Sequence, residues 1–309
     1  MRSPSQSLSM GIDLGGTKIH AVVLAPDGST RWEHRIATPR DDYQATLTAL
    51  VGLVEAADMA TARQGLTVGL GGPGSLTPEG LLKNANSTWL NGKPLAHDLA
   101  QALGRPVRFA NDANCLALSE ATDGAGAGQD VVFAVILGTG NGAGIAVQGR
   151  VLTGPNGLAG EFGHVQLPWA DADDPQFSCY CGQRGCNETV LSGTGIARDH
   201  EWVTGQQLTT GEISQAAAAG DAACVATLER HTRRLAKALA GVINLLDPDV
   251  IVLGGGVSLM PHLYERVPAL WGQWVFSGGL KDPVRTQLKP SVHGDASGVR
   301  GAAWLWRHA

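Results

Sequence analysis

Met10 to Leu24 reads MGIDLGGTKIHAVVL: an apolar run, a glycine pair and a second apolar run. That is the pattern of a strand, a tight turn and a returning strand. Phe133 to Val147 reads FAVILGTGNGAGIAV and has the same layout. Laid side by side, Gly11 to Thr17 and Val135 to Asn141 bring strand ends and glycine turns into nearly the same register. The match suggests two related domains. Glycine-rich hairpins also look alike by chance, and the pattern alone weighs the two explanations evenly. Length sides with the repeat, since 309 residues exceed an average single domain.

Around these hairpins, strands and helices alternate. Asp42 to Arg63 has helical periodicity, with Leu47, Leu50, Val51 and Val54 on one face. Leu66 to Gly71 reads as a buried strand running into the tight turn Gly72-Pro-Gly74. A short helix is expected over Pro94 to Leu103, with proline at its start. Val107 to Ala110 is expected as a strand and Ala113 to Ala121 as a helix. Gly154 to Gly182 is rich in loop formers. Asp221 to Leu246 reads as a long helix stopped by Asp247-Pro248. Val250 to Leu253 is a strand ending in three glycines, and Ser297 to Trp306 reads as a closing helix. The class is α/β. The pattern thins between Leu118 and Asp130, where the domain junction is expected.

Composition narrows the function. Hydrophobic residues make up 43% and charged residues 17%, ordinary for a globular chain with a large core. The net charge of -5 speaks against nucleic acid as the main partner and leaves room for an anion held by backbone amides. The start MRSPSQSLSM lacks an apolar stretch, and no signal peptide is expected. No run of roughly 18 apolar residues occurs, so no membrane partner is expected and the cytoplasm is the expected location.

Three glycine turns sit at strand ends. Asp13-Leu-Gly15-Gly16-Thr17-Lys18 can form a concave nest of N–H donors, with the Thr17 hydroxyl and Lys18 beside it. Asp13 can hold magnesium there, through water. The spacing matches neither a Walker loop nor a dinucleotide fingerprint. Gly138-Thr139-Gly140 is a second nest, and Gly254-Gly255-Gly256 a third site, suited to a flat base or ribose. Any one of them also reads as a plain turn; together they favour nucleotide phosphates. Asn111-Asp112 opens a helix, and read alone it is a helix cap.

Cysteine is scarce, at 5, and three of the five fall in Cys179-Tyr-Cys-Gly-Gln-Arg-Gly-Cys-Asn-Glu188. Cys115 and Cys224 read as small buried hydrophobes. In a cytosolic chain the cluster points to metal or redox chemistry rather than a disulfide.

Taken together, Asp13-x-Gly-Gly-Thr, Asn111-Asp112, Gly160-Glu-Phe-Gly-His164, the CxCGxxGCxE cluster and Gly254-Gly-Gly256 resemble the ROK family of bacterial sugar kinases, over nearly the whole chain from Gly11. PRDDY at 39–43, KNANSTWLNGKPL at 83–95 and NDANCLALSEATDGA at 111–125 are similar to its fructokinase and mannokinase members. So are LDPDVIVLGGG at 246–256 and HGDASGVRGAAWLW at 293–306.

The resemblance implies a two-lobed actin/hexokinase-like (ribonuclease H-like) fold with a mixed sheet flanked by helices in each lobe. The N-terminal lobe is expected over 1–118, completed by the helix 297–309. The C-terminal lobe is expected over 119–296, with a zinc loop at 160–190. The implied reaction is phosphoryl transfer from ATP to the 6-hydroxyl of a hexose, with Asp112 as general base. The implied sugar contacts are Asn111, Asp112, Glu161, His164 and Glu188, with Gly74 and Asn84 as further additions. ATP is expected at Asp13, Gly15, Gly16, Thr17, Lys18, Gly138, Thr139, Gly140, Gly254, Gly255 and Gly256, with Mg2+ at Asp13. Structural Zn2+ is implied at His164, Cys179, Cys181 and Cys186. With one His164 nitrogen on the metal, the other must carry a proton and becomes a donor for a sugar hydroxyl. A homodimer is part of the same likeness.

The segment around Asn84 to Pro94 makes fructose the expected hexose, with mannose accepted; glucose or an N-acetylhexosamine is the alternative. The family also contains transcriptional repressors with a winged-helix segment ahead of the kinase-like body. Asp13 stands too near the start for that, and no DNA partner is expected. A non-catalytic sugar sensor is the remaining rival, disfavoured by the presence of both Asp13 and Asp112.

Overall fold

The computed structural model describes residues 8–62, 65–279 and 282–307. Residues 1–7, Arg63 of the expected first helix and 308–309 of the closing one lie outside the described residues. Contacts divide the chain into two compact units. The first is Met1–Gly128, Gly144–Ala159 and Val292–Ala309; the second is Gln129–Ala143 and Gly160–Ser291.

The first unit begins with β1 (Ser9–Leu14), β2 (Lys18–Leu24) and β3 (Thr30–Ala37). Then come α1 (Tyr43–Ala60), β4 (Thr67–Gly72), the short pair β5 (Ser75–Leu76) and β6 (Leu82–Lys83), α2 (Leu95–Leu103), β7 (Val107–Asn111) and α3 (Asp112–Asp123). The sheet order is β3-β2-β1-β4-β7. β1 pairs antiparallel with β2, setting Asp13 opposite His20, and parallel with β4 on its other side. Asp42 caps α1 by accepting the Ala45 amide at 2.9 Å. The helix buries Thr46, Leu50, Leu53, Val54 and Ala57, a 3–4 spacing that turns one stripe to the core.

The chain enters the second unit with β8 (Val131–Leu137) and β9 (Asn141–Val147). Between Ala143 and Gly144, inside β9, it passes back to the first, which holds β10 (Arg150–Val151). The second unit continues with α4 (Glu188–Leu191), α5 (Gly193–Thr204), α6 (Thr210–Ala218), α7 (Ala222–Leu246), β11 (Val250–Gly254), α8 (Leu263–Trp271) and β12 (Gln287–Pro290). The second sheet runs β10-β9-β8-β11-β12, the order of the first sheet position for position. The repeat glimpsed in the two hairpins is therefore a repeat of topology. α7 starts at the Asp221 cap and stops at Asp247, in the left-handed region with φ 46°.

α9 (Ser297–Trp304) returns to the first unit. Its backbone lies directly on that sheet: a Cβ added at Gly11 would strike the Val299 carbonyl, and one at Gly69 the Ala302 carbonyl. Gly301 in turn lies against the Cys115 carbonyl of α3. Here glycine is needed for close approach rather than for φ.

The expected boundary at 118/119 falls inside α3, and residues 119–128 and 144–159 pack with the first unit. Fully buried Glu120 explains why α3 stays there through its end. Its carboxylate accepts the Ala125 amide at 2.8 Å, the Val292 amide at 3.3 Å and the Ser297 hydroxyl at 3.1 Å. Among the described residues, no helix is long and apolar enough to cross a membrane.

Candidate functional site

In the first unit the candidate residues gather at the C-terminal ends of β1, β4 and β7. The β1–β2 turn is closed by Gly15 N–H to the Lys18 carbonyl at 3.0 Å. It is tied down by Thr38, which donates its hydroxyl to the Gly15 carbonyl at 2.7 Å and its amide to the Thr17 carbonyl at 3.0 Å. Gly16, Thr17 and Lys18 are exposed at its tip. Behind it, Asp13 is pushed up to about 6, first by burial, then by the nearby charge of Asp112; Lys18 works in the opposite direction. Gly298 of α9 leaves room for this carboxylate, since a Cβ there would sit 3.3 Å from Oδ2. Two coupled carboxylates, one of them desolvated, form a site that a cation would relieve.

Asn111 and Asp112 stand at the N-terminus of α3, and both accept the Ala113 amide, at 2.9 and 2.8 Å. The capping expected from their residue types is present. The Asn111 amide group also donates to the Gly74 carbonyl at 3.1 Å. Gly74 has φ +80°, and a Cβ there would run into the Lys83 carbonyl, so glycine is required on both counts. Asn84 follows in the left-handed region at φ 59°.

The second unit carries the other two glycine turns. Gly138 N–H bonds the Gly140 carbonyl at 3.0 Å, and the Gly138 carbonyl accepts the Gly193 amide at 2.7 Å. Thr194 donates its hydroxyl to the Thr139 carbonyl at 2.8 Å. A cavity of about 830 Å³ opens here, lined by Gly138, Thr139, Thr194, Thr210, Gly256 and Met260 among others. Its size suits a nucleotide-sized ligand. The first turns of α5 and α6 face it, adding helix N-termini that favour anions. Of the expected residues, Gly138, Thr139 and Gly256 line this cavity. Gly254 ends β11, and Gly255 makes the turn at φ +83° against the Leu137 carbonyl. Gly140 backs onto Glu188, whose Oε2 would lie 2.9 Å from an added Cβ.

The cysteine cluster closes on one point. His164, Cys179, Cys181 and Cys186 bring their ligand atoms within 4.8 Å of one another. Cys179 Sγ lies 3.6 Å from His164 Nδ1, and Cys181 Sγ 3.7 Å from Cys186 Sγ. A tetrahedron with metal–sulfur bonds of about 2.3 Å has edges of about 3.8 Å, so this donor set fits zinc. The five cysteines are free thiols, which leaves no disulfide reading. Burial pushes the Cys186 thiol up, and a bond from the Gln183 amide draws Cys181 down. Three thiols and an imidazole held this close form a donor set that a cation would draw together.

Cross-bridges stiffen the knot: Gln166 pairs with Cys186 and Ser178 with Arg184. Asn187 is buried and donates to the Phe162 carbonyl at 3.0 Å, a polar tie that an aliphatic side chain would lack. Glu188 opens α4, and its Oε2 accepts the Asn141 amide at 3.0 Å, which links the knot to the start of β9. Glu161 is exposed just before His164. The second His164 nitrogen, expected to point to a substrate, lies 2.9 Å from the Tyr180 hydroxyl.

Asp13, Gly15, Gly16, Thr17, Lys18, Gly74, Asn84, Asn111 and Asp112 thus belong to the first unit. Gly138–Gly140, Glu161, His164, the three clustered cysteines, Glu188 and Gly254–Gly256 belong to the second. Sequence reasoning missed Gly193 and Thr194 in the cavity wall, although Ser192-Gly-Thr-Gly195 is itself a visible glycine turn. It also missed Tyr180, an exposed aromatic that carries no pattern.

The sheet order and flanking helices define an actin/hexokinase-like fold, and the ROK hexokinase of Thermus thermophilus superposes with a TM-score of 0.84. The two are 31% identical, and the match covers 97% of each chain. The ROK family model matches residues 9–309, and the chain belongs to the ROK family. It is 41% identical over 302 residues to the N-acetyl-D-glucosamine kinase of Pectobacterium atrosepticum, covering 96% of this chain and 97% of that one. It is 38% identical over 298 residues to the N-acetylgalactosamine kinase of a Shewanella species, covering 96% and 95%.

Proposed function

We propose that this chain is an ATP-dependent sugar kinase that phosphorylates the 6-hydroxyl of an N-acetylhexosamine, N-acetyl-D-glucosamine before others. The observation that carries the reading is full-length likeness to two kinases of N-acetylated hexosamines. It favours the acetylated alternative over fructose, which rested on the segment from Asn84 to Pro94.

In this reading Asp112 is the general base. Its carboxylate is oriented by the Ala113 amide at the start of α3. It takes the proton of the attacking hydroxyl as the new O–P bond forms and ADP departs. Asp13 would hold Mg2+ through water, and the ion would supply charge neutralisation at the transferred phosphoryl. The cavity beside Gly138, Thr139 and Gly256 takes the nucleotide. Glu161 and Glu188 accept sugar hydroxyls. Zinc, when bound, fills a closed four-ligand site and acts as structure rather than Lewis acid. With Nδ1 on the metal side, His164 keeps its proton on Nε2. That N–H bonds Tyr180 here and a sugar hydroxyl in the complex. A homodimer belongs to the same reading and is checked by light scattering.

The test is a panel of kcat/KM values for N-acetylglucosamine, N-acetylgalactosamine, glucose, mannose and fructose, with the phosphorylated position read by NMR. A pocket that tells sugars apart by one small group gains about 1–3 kcal/mol, so weaker side activities are expected. Fructose as the best substrate would restore the other reading. ATP turnover indifferent to every hexose would remove the kinase.

A further inference from the structure

Arg234 and Lys237, one turn apart on α7, are among the largest fully buried side chains of the protein. Both point at the acidic turn 171–174, which lies between the His164 and Cys179 ligands. Asp174 receives Arg234 Nε on one oxygen at 2.8 Å and Lys237 Nζ on the other at 2.6 Å. Lys237 also donates to Asp171 at 2.9 Å, and Arg234 to the Asp173 carbonyl at 3.1 Å. Arg234 then continues to Asp199 of α5 at 2.8 Å, and Arg230 takes that residue's other oxygen at 2.9 Å.

Bringing such charges out of water costs several kcal/mol per ion, and a well-packed apolar replacement is often as stable. Stability alone therefore explains the cluster poorly. What it supplies is a fixed position. The chain from His164 to Cys179 runs out along 165–167 and back along 177–179, both limbs bonded to the cysteine loop. Leu167 N–H reaches the Gly185 carbonyl at 3.0 Å, and Gly185 N–H the Phe177 carbonyl at 2.9 Å. The metal ligands close one end of this arm; the ionic cluster fastens the other end to α7.

We infer that Asp174, held by Arg234 and Lys237, is a positioning residue: it sets the arm on α7 and thereby places His164 and Glu161 for the sugar. The inference rests on the reading in which these two side chains contact the sugar. It gives the knot two anchors, one thiolate-metal and one ionic. The ionic anchor acts on sugar affinity and on metal retention, and leaves the nucleotide side alone.

The experiment uses full-length, zinc-loaded protein and the variants Asp174→Asn and Asp171→Asn. Zinc transfer to a chromogenic chelator is followed beside KM for N-acetylglucosamine and for ATP, well below each melting temperature. Removing a group that orients metal ligands typically costs about 10- to 100-fold in affinity or activity. Asp174→Asn should release zinc at least about tenfold faster and raise the sugar KM by a similar factor, with kcat and the ATP KM within about twofold. Asp171→Asn, which weakens the outer contacts to Lys237 and Arg233 and leaves Asp174 in place, should move both readouts the same way by less. Lys237→Arg should keep zinc release near wild type. A variant that melts earlier yet keeps wild-type zinc release and sugar KM reduces the cluster to a stabilising one and overturns the inference. So does a wild-type protein that takes up no zinc. Should Asp174→Asn fail to fold, Asp171→Asn decides. Should no hexose be phosphorylated, the sugar reading fails, and zinc release alone still judges the anchor.

Discussion

The two units share one strand order, yet their hairpins turn on different chemistry. In the first, the strand entering the turn carries Asp13, desolvated and charge-coupled to Asp112. In the second, the matching residue is Leu137, fully buried. The carboxylate beside that turn, Glu188, comes from α4 instead and is engaged by the Asn141 amide. A desolvated acid beside a second carboxylate favours a cation or a proton at that turn. An acid delivered by a separate helix can be neutralised locally and spend its second oxygen on a hydroxyl. One scaffold used twice thus sets a desolvated carboxylate at one turn and an amide-bonded carboxylate at the other.

Substitutions can break this contrast, and the largest effect is expected in the first unit. Asp112→Asn should lower kcat by about 100- to 10,000-fold while ATP affinity and the circular dichroism spectrum stay put. Near-normal turnover in that variant would remove Asp112 from the base role. Asp13→Asn should cost less, and raised Mg2+ should recover part of the loss; indifference to Mg2+ would detach Asp13 from the metal. In the second unit, Cys181→Ser or chelation of zinc should raise the sugar KM while a fluorescent ATP analogue binds as before. Equal loss of both affinities would show that the halves are not separable in this way.

The smallest expected effect concerns acid stability of the second unit. Burial pushes the His231 imidazole down to about 4 from its ordinary 6.5, outweighing its bond to the Leu191 carbonyl. A folded-state value below the unfolded one means that the unfolded chain takes the proton first. Stability is therefore whole above about pH 6.5 and falls as pH drops toward 4, by about 3 kcal/mol at most. Urea unfolding at pH 7 and pH 5 should differ for the wild type and differ less for His231→Gln. An unchanged difference would place the acid sensitivity elsewhere.

Much of this was legible in the sequence because the signals were local. The hairpins announce themselves by apolar runs around glycine pairs, α3 by Asn111-Asp112, and α7 by its caps and periodicity. β3 was not legible: its alternating side chains are mostly exposed, so no apolar face marks it. α5 begins with Gly-Thr-Gly and carries little apolar character, and its helical identity comes from packing against α7. In the candidate site, residue types and spacing pointed the cysteines to metal or redox chemistry, and only the family likeness joined His164 to them. The ionic cluster was out of reach, because Asp174, Asp199 and Arg234 meet only after folding, and each alone reads as a solvated charge. The reversal inside β9 was equally hidden, since nothing in Asn141 to Val147 marks a change of unit.

The place of α9 has a consequence for how the chain is made. Gly11 and Gly69 lie against carbonyls of Val299 and Ala302, so the first sheet lacks one covering layer until those residues exist. During synthesis, the earliest strands must wait, with an apolar face uncovered, while the entire second unit emerges from the ribosome. The unit translated first is thus the one that finishes last.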